Sequence, residues 1–152
     1  MELTTYHAGT WAEDMAYDIS IAQHSIFMTA LSMLIPAHVP QDGIGALYRA
    51  MQDAAQRGVK VEVRLAAPAH FAPASQSNLT ATRRLAADGI HIRLVGGAQL
   101  LHAKTCIVDS ETVWIGSGNF TQQAATSNHE AYLRTVNKSI AERIIDRWRA
   151  LP

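Results

Sequence analysis

A single cysteine in 152 residues, Cys106, excludes an intrachain disulfide and a thiolate metal cluster. Long apolar runs are missing too; none approaches the roughly 18 residues of a membrane-spanning helix. The opening MELTTYHAGTW has neither a basic start nor an apolar core, so no signal peptide is visible and a cytoplasmic location is expected. Neither charge sign dominates, with thirteen basic and thirteen acidic side chains and a pI of about 7.1. A strong whole-chain electrostatic footprint for nucleic acid is therefore absent. The balance hides an asymmetry: residues 1–76 carry four basic and seven acidic side chains, residues 77–152 nine and six. Arg83, Arg84, Arg93, Arg143, Arg147 and Arg149 supply much of the second half's surplus, which fits a solvated helix face better than a phosphate-binding surface.

What is present is an ordinary apolar share, 48%, in a length suited to one domain spanning 1–152 with a substantial core. Thr10 and Glu13 have capping-box spacing, which predicts a helix over 11–22. The run SIFMTALSML (25–34) reads as a buried strand, and a Pro-containing loop follows. Residues 43–57 read as a helix stopped by Gly58, and VKVEVRL (59–65) alternates as a strand should. The Pro-rich stretch 66–78 reads as loop, 79–88 as helix, and 90–95 as strand before the Gly96-Gly97 turn. Strands over 100–109, 112–118 and 127–136 and an amphipathic helix over 139–150 complete the chain. Helix-separated strands imply parallel pairing, and strands joined by short turns imply antiparallel pairing. The expected fold class is α/β, a mixed parallel/antiparallel sheet with helices on both faces.

One stretch, LHAKTCIVDSETVWIGSGNF (101–120), threads polar residues through an apolar run. Such residues either cost stability or carry a task. A hairpin turning at Ser110-Glu111 would set Asp109 against Thr112, Lys104 against Ser117 and His102 against Asn119. Period two also puts His102 and Lys104 on one face, so His, Lys, Ser and Asn converge at the open end. Asp109 lies at the turn end, where a structural role suits it. If the first three strands are parallel, His102 begins beside their carboxyl edge, where α/β sheets usually hold ligands. Singly, each residue has an ordinary explanation: a strand His is usually a satisfied core residue, and Gly-Ser-Gly-Asn can be any turn.

Together, His102-x-Lys104-x4-Asp109-x6-Gly116-Ser117-x-Asn119 resembles the HKD motif of the phospholipase D superfamily, six specified positions across eighteen residues. The resemblance extends over nearly the whole chain to the small single-motif bacterial endonucleases of that superfamily. It implies a phospholipase D-like fold, with Asp109 and Gly116 as structural motif positions. It also places Glu130 where those proteins carry an acidic residue bonded to the motif His. With one motif per chain, it implies a homodimer sharing one composite site, nucleic acid as substrate, and no stable membrane association.

The implied chemistry is metal-independent phosphodiester cleavage. One His102 attacks phosphorus to give a phosphohistidine, while the second copy's His102 protonates the leaving oxygen and later activates water. Lys104, Ser117 and Asn119 would bind the phosphate, with Glu130 supporting His102. No metal or cofactor is expected; the other histidines (7, 24, 38, 70, 91 and 129) lack metal-ligand spacing, and His129 points to the face opposite Glu130. The stretch 66–78 holds no Lys or Arg, which offers nothing to grip a nucleic-acid backbone. Two alternatives stay open. One is the same chemistry on phospholipid, hinted at by Phe71 and the Pro-flanked loops. The other is a non-catalytic nucleic-acid-binding or assembly module, for which an intact His102, Lys104, Asn119 and Glu130 set would be superfluous.

Overall fold

The computed structural model describes residues 4–6, 10–67 and 72–152. His7, His70 and Phe71, and with them the middle of the stretch expected to be loop, lie outside the described residues. In chain order the elements are β1 (Thr4–Tyr6), α1 (Trp11–Ser20), β2 (Ser25–Ala30), α2 (Ile44–Gln56), β3 (Lys60–Ala66), α3 (Ala72–Ala87), β4 (His91–Val95), β5 (Lys104–Val108), β6 (Thr112–Gly116), α4 (Gln122–Thr126), β7 (Tyr132–Val136) and α5 (Lys138–Arg149). The strands form one sheet in the order β1-β7-β6-β5-β2-β3-β4. The β2–β3 and β3–β4 pairs are parallel, and β2–β5, β5–β6, β6–β7 and β1–β7 are antiparallel. The expected mixed sheet is present.

Period two decides which side chains meet which helices. Ile26 and Met28 of β2, Val61 and Val63 of β3, Cys106 of β5 and Trp114 of β6 point into the main core, against Trp11, Met15 and Ile19 of α1 and Leu47 and Met51 of α2. The opposite face carries Phe27, Ile107 and Val113, covered by Ala141 and Ile145 of α5. Helices therefore lie on both faces. Trp11 stacks on Tyr132 at 4.3 Å between ring centroids, and Trp11 and Trp114 are fully buried. Rings of this size each bury roughly 150–250 Å², so they account for a large part of the apolar burial.

Several boundaries differ from the sequence reading, each for a physical reason. The capping box does not form: Thr10 makes no side-chain cap bond, and Glu13 Oε1 accepts from the Gly43 N–H at 2.8 Å instead. Strand β2 stops at Ala30, because residues 31–34 leave the ladder and Met33 bridges to Phe120. Helix α3 begins at Ala72, well before residue 79. Pro73 lies in its first turn, where a missing N–H costs nothing. Residues 122–126, to which the sequence reading assigned no element, form α4, capped by Thr121 Oγ1 accepting from the Ala124 N–H at 3.2 Å. The short β1 was not anticipated.

The β5–β6 register is also one residue off the expected pairing. Lys104 opposes Gly116 and Val108 opposes Thr112. The turn is made by Asp109 and Ser110, both at positive φ (52° and 55°), with the Glu111 N–H donating to the Val108 carbonyl at 3.0 Å. That is the geometry of a type I′ turn, whose twist matches a hairpin, and Glu111 becomes the extra residue.

Candidate active site

Parallel β2, β3 and β4 end on one rim of the sheet. Antiparallel β5 and β7 begin there and β6 ends there, so residues 102–104, 116–119 and 130–132 gather at the same edge. This is the edge at which the sequence reading placed His102.

Lys104, the first residue of β5, is only 5% exposed. Its Nζ donates to the His102 carbonyl at 2.7 Å and lies 3.1 Å from His102 Nδ1 and 3.3 Å from Nε2. His102 itself is exposed. Burial pulls the Lys104 pKa below the ordinary lysine value, and the negative charge of Glu130 partly opposes the fall. Among the described residues no carboxylate lies within ion-pairing distance of this ammonium. A buried cation with no ion-pair partner is uncommon, and a bound anion would complete it.

Asn119 is held through its side-chain oxygen: Oδ1 accepts from the Ser32 N–H at 3.2 Å. The next residue is fixed to the same strand end, with the Phe120 N–H donating to the Ser32 carbonyl at 3.1 Å. An amide that spends its oxygen this way presents its NH₂ group, a donor suited to an anionic oxygen. Ser117 donates its hydroxyl proton to Glu130 Oε2, and its own Oγ accepts from the Ala131 N–H at 3.1 Å. Asn128 Nδ2 donates to the other carboxylate oxygen, Oε1, at 3.1 Å.

Within one chain, among the described residues, no hydrogen bond joins Glu130 to His102. Its two carboxylate oxygens accept from Ser117 and Asn128, and its negative charge raises the Lys104 pKa. Lys104 also does not face Ser117, because the register shift opposes it to Gly116.

Gly116 and Asp109 have structural reasons. A Cβ on Gly116 would lie 2.4 Å from the Tyr132 ring, and the Tyr132 hydroxyl donates to the Gly118 carbonyl. The ring thus fills the space a side chain would need. At the far end of the hairpin, Asp109 Oδ1 accepts from the N–H groups of His24 (2.7 Å) and Ser25 (2.9 Å), and Oδ2 from Gln23 (2.9 Å). Asp109 therefore clips the start of β2 to β5, away from the rim.

Sequence reasoning missed Ser32, Asn78 and Asn128. Asn128, two residues before Glu130, had a local signal. Ser32 acts through its backbone, which leaves none. Beside His102, a groove of about 370 Å³ opens between the 95–102 segment and the end of α5, with Arg147 and Trp148 on its wall. Among the described residues no three His, Cys, Asp or Glu side chains group closely enough to hold a metal ion.

Residues 16–151 match the family described as "Cardiolipin synthase, PLD-like domain". The chain belongs to the phospholipase D-like family. It is similar to "Phospholipase D Z" of Dictyostelium discoideum, 30% identical over 125 residues that make up 77% of this chain and 28% of that protein. The chain thus spans just over a quarter of that relative's length. Its structure resembles that of the phospholipase D family member Nuc from Salmonella typhimurium, with a TM-score of 0.77 and 26% identity over 97% of this chain and 93% of that one. NucT from Helicobacter pylori shares the phospholipase D-like fold, with a TM-score of 0.75, 18% identity and the same coverage of both chains. Residues 102, 104, 117, 119 and 130 all lie within the matched span. No helix among the described residues is long and apolar enough to cross a membrane.

Proposed function

We propose that this chain is a phosphodiesterase acting on nucleic acid without a metal ion, through a site shared by two copies. The observation that carries the reading is the buried Lys104 ammonium, without an ion-pair partner among the described residues and held against the edge of an exposed imidazole. A phosphodiester resists attack because its anionic oxygens repel nucleophiles and its alkoxide leaves poorly. Lys104 answers the first difficulty by supplying positive charge, and the free NH₂ of Asn119 adds a donor for the charge that builds up on the phosphoryl oxygens.

His102 answers the second, but only in pairs. One neutral imidazole attacks phosphorus, forming a P–N bond as the P–O bond to the leaving group breaks. The other imidazole, protonated, delivers its proton to the departing oxygen. That same ring then takes a proton from water, whose oxygen attacks phosphorus and releases the first imidazole. One chain offers one His102 at the rim, so the partner must be a second copy. A self-complementary surface near the rim would join them, and apolar side chains on the α5 side support this reading. Ile115 is 41% exposed there, and Ile140, Ile144 and Trp148 are only partly covered.

Glu130 keeps the ammonium charged through its field at Lys104, and Ser117 holds Glu130 in place while its Oγ remains beside the phosphate position. A phospholipid substrate is the second reading, favoured by the family's description and by the name of the Dictyostelium relative. The deciding experiment incubates the protein in excess EDTA with labelled single- and double-stranded DNA, RNA and phosphatidylcholine. Cleavage of a nucleic acid supports the proposal. Turnover of phosphatidylcholine alone transfers the mechanism to lipid, and activity restored only by Mg²⁺ or Zn²⁺ overturns it.

A further inference from the structure

Asn78 is completely buried in α3, and every polar atom of its side chain is used on backbone at the rim. Its Nδ2 donates to the Leu31 carbonyl at 2.9 Å and the Ala66 carbonyl at 3.0 Å, and its Oδ1 accepts from the Met33 N–H at 3.0 Å. These groups belong to the stretch where β2 has left the ladder and to the last residue of β3. One side chain therefore grips the residues immediately before and after Ser32, and ties them to β3.

Ser32 is the residue whose N–H holds Asn119 Oδ1 and whose carbonyl accepts from Phe120. The path is short and continuous: Asn78 bonds residues 31 and 33, the Ser32 N–H bonds the Asn119 oxygen, and the Asn119 NH₂ has no hydrogen-bond partner among the described residues. Outside the ladder this stretch is held from one side by the bridge to Phe120 and from the other by Asn78. An apolar residue at 78 would leave the Leu31 and Ala66 carbonyls and the Met33 N–H without these bonds, and each unmade buried bond costs about 1–3 kcal/mol.

We propose that Asn78 is a positioning residue for the reaction, setting through Ser32 the direction in which Asn119 offers its amide to the phosphoryl group. The inference rests on the phosphodiester chemistry assigned to the rim. It predicts that Asn78 and Asn119 act as one unit.

The test is a double-variant cycle on the full chain, with bis(4-nitrophenyl) phosphate as probe. Asn78→Ala should lower kcat by about 10- to 100-fold, the usual effect of losing a residue behind a functional one, while KM changes little. Asn119→Ala should lower it by about 10²- to 10³-fold, and the double variant should be no worse than Asn119→Ala alone. A double variant showing the product of the two losses overturns the inference. A second measurement needs no catalysis: in wild type the Ser32 amide should be protected from hydrogen exchange as strongly as that of Met33. In Asn78→Ala the Ser32 amide should exchange at least about tenfold faster, and the Asn119 side-chain NH₂ resonances should move. An unprotected Ser32 amide in wild type, or Asn119 resonances unmoved by the substitution, overturns the inference. Absence of any diesterase activity in wild type, with the exchange result intact, removes the functional reading and leaves the linkage standing.

Discussion

The Nζ of Lys104 donates to the backbone carbonyl of His102 at 2.7 Å and lies 3.1 Å from that residue's Nδ1. Residues two apart on a strand share a face, so the pair is a direct product of sequence spacing. Burial of Lys104 makes the contact chemically useful. A strongly hydrated ammonium would hold its positive charge in water, whereas here it faces the site.

The pH dependence of activity should report this. Burial lowers the Lys104 pKa and Glu130 partly restores it, so the alkaline limb should lie below the ordinary lysine value of about 10.4. Glu130→Gln removes the restoring charge, and its alkaline limb should move further toward neutrality. A pH–kcat profile of both proteins checks this, and a limb that moves upward in Glu130→Gln contradicts the assignment.

Asp109 should matter for stability rather than turnover. Burial raises its pKa, but three backbone N–H donors outweigh burial and hold the carboxyl below the usual value. A depressed carboxylate pKa means stability that is fully present above the unfolded value of about 3.9 and is lost as pH falls through the folded one. Asp109→Asn should cost about 1.5–3 kcal/mol at neutral pH. The gap from wild type should close on acidification below about pH 4, as urea titrations at several pH values would show. A constant gap would mean that charge is not what Asp109 contributes.

Much of this was legible beforehand. The helices expected over 11–22 and 43–57 form as Trp11–Ser20 and Ile44–Gln56, the parallel strands are present, and residues 102, 104, 119 and 130, singled out by spacing and family resemblance, gather at one edge. What escaped was whatever depends on tertiary partners. Register could not be set from the hairpin sequence, because Asp109 and Ser110 adopt positive φ, and the Asp109 carboxylate is held by the N–H groups of Gln23, His24 and Ser25, distant in sequence. Ser117 and Asn128, which hold the Glu130 oxygens within the chain, were not read as its partners. Asn78 sits in a stretch whose Pro residues read as loop, although Pro73 is compatible with a helix's first turn.

Gly116 is a steric requirement, and its replacement should show it. A methyl group 2.4 Å from the Tyr132 ring must displace a side chain that is itself stacked on Trp11. Gly116→Ala should cost about 1–3 kcal/mol as overpacking does, lowering Tm by several degrees. Activity should fall with it, since Tyr132 anchors the Gly118 carbonyl one residue before Asn119. Calorimetry and a parallel assay measure both, and an unchanged Tm contradicts the packing argument.

The shared site is tested most directly by a mixed dimer of one wild-type and one His102→Ala chain, purified through two affinity tags and compared with wild type in turnover number. If one imidazole attacks while the other delivers the proton, the mixed species should be nearly inactive although folded and dimeric. A mixed dimer lacking one Lys104 or one Asn119 should keep measurable activity, because neither transfers a proton. Half of wild-type turnover in the His102 mixed dimer would show that each chain works alone, contradicting the two-copy mechanism.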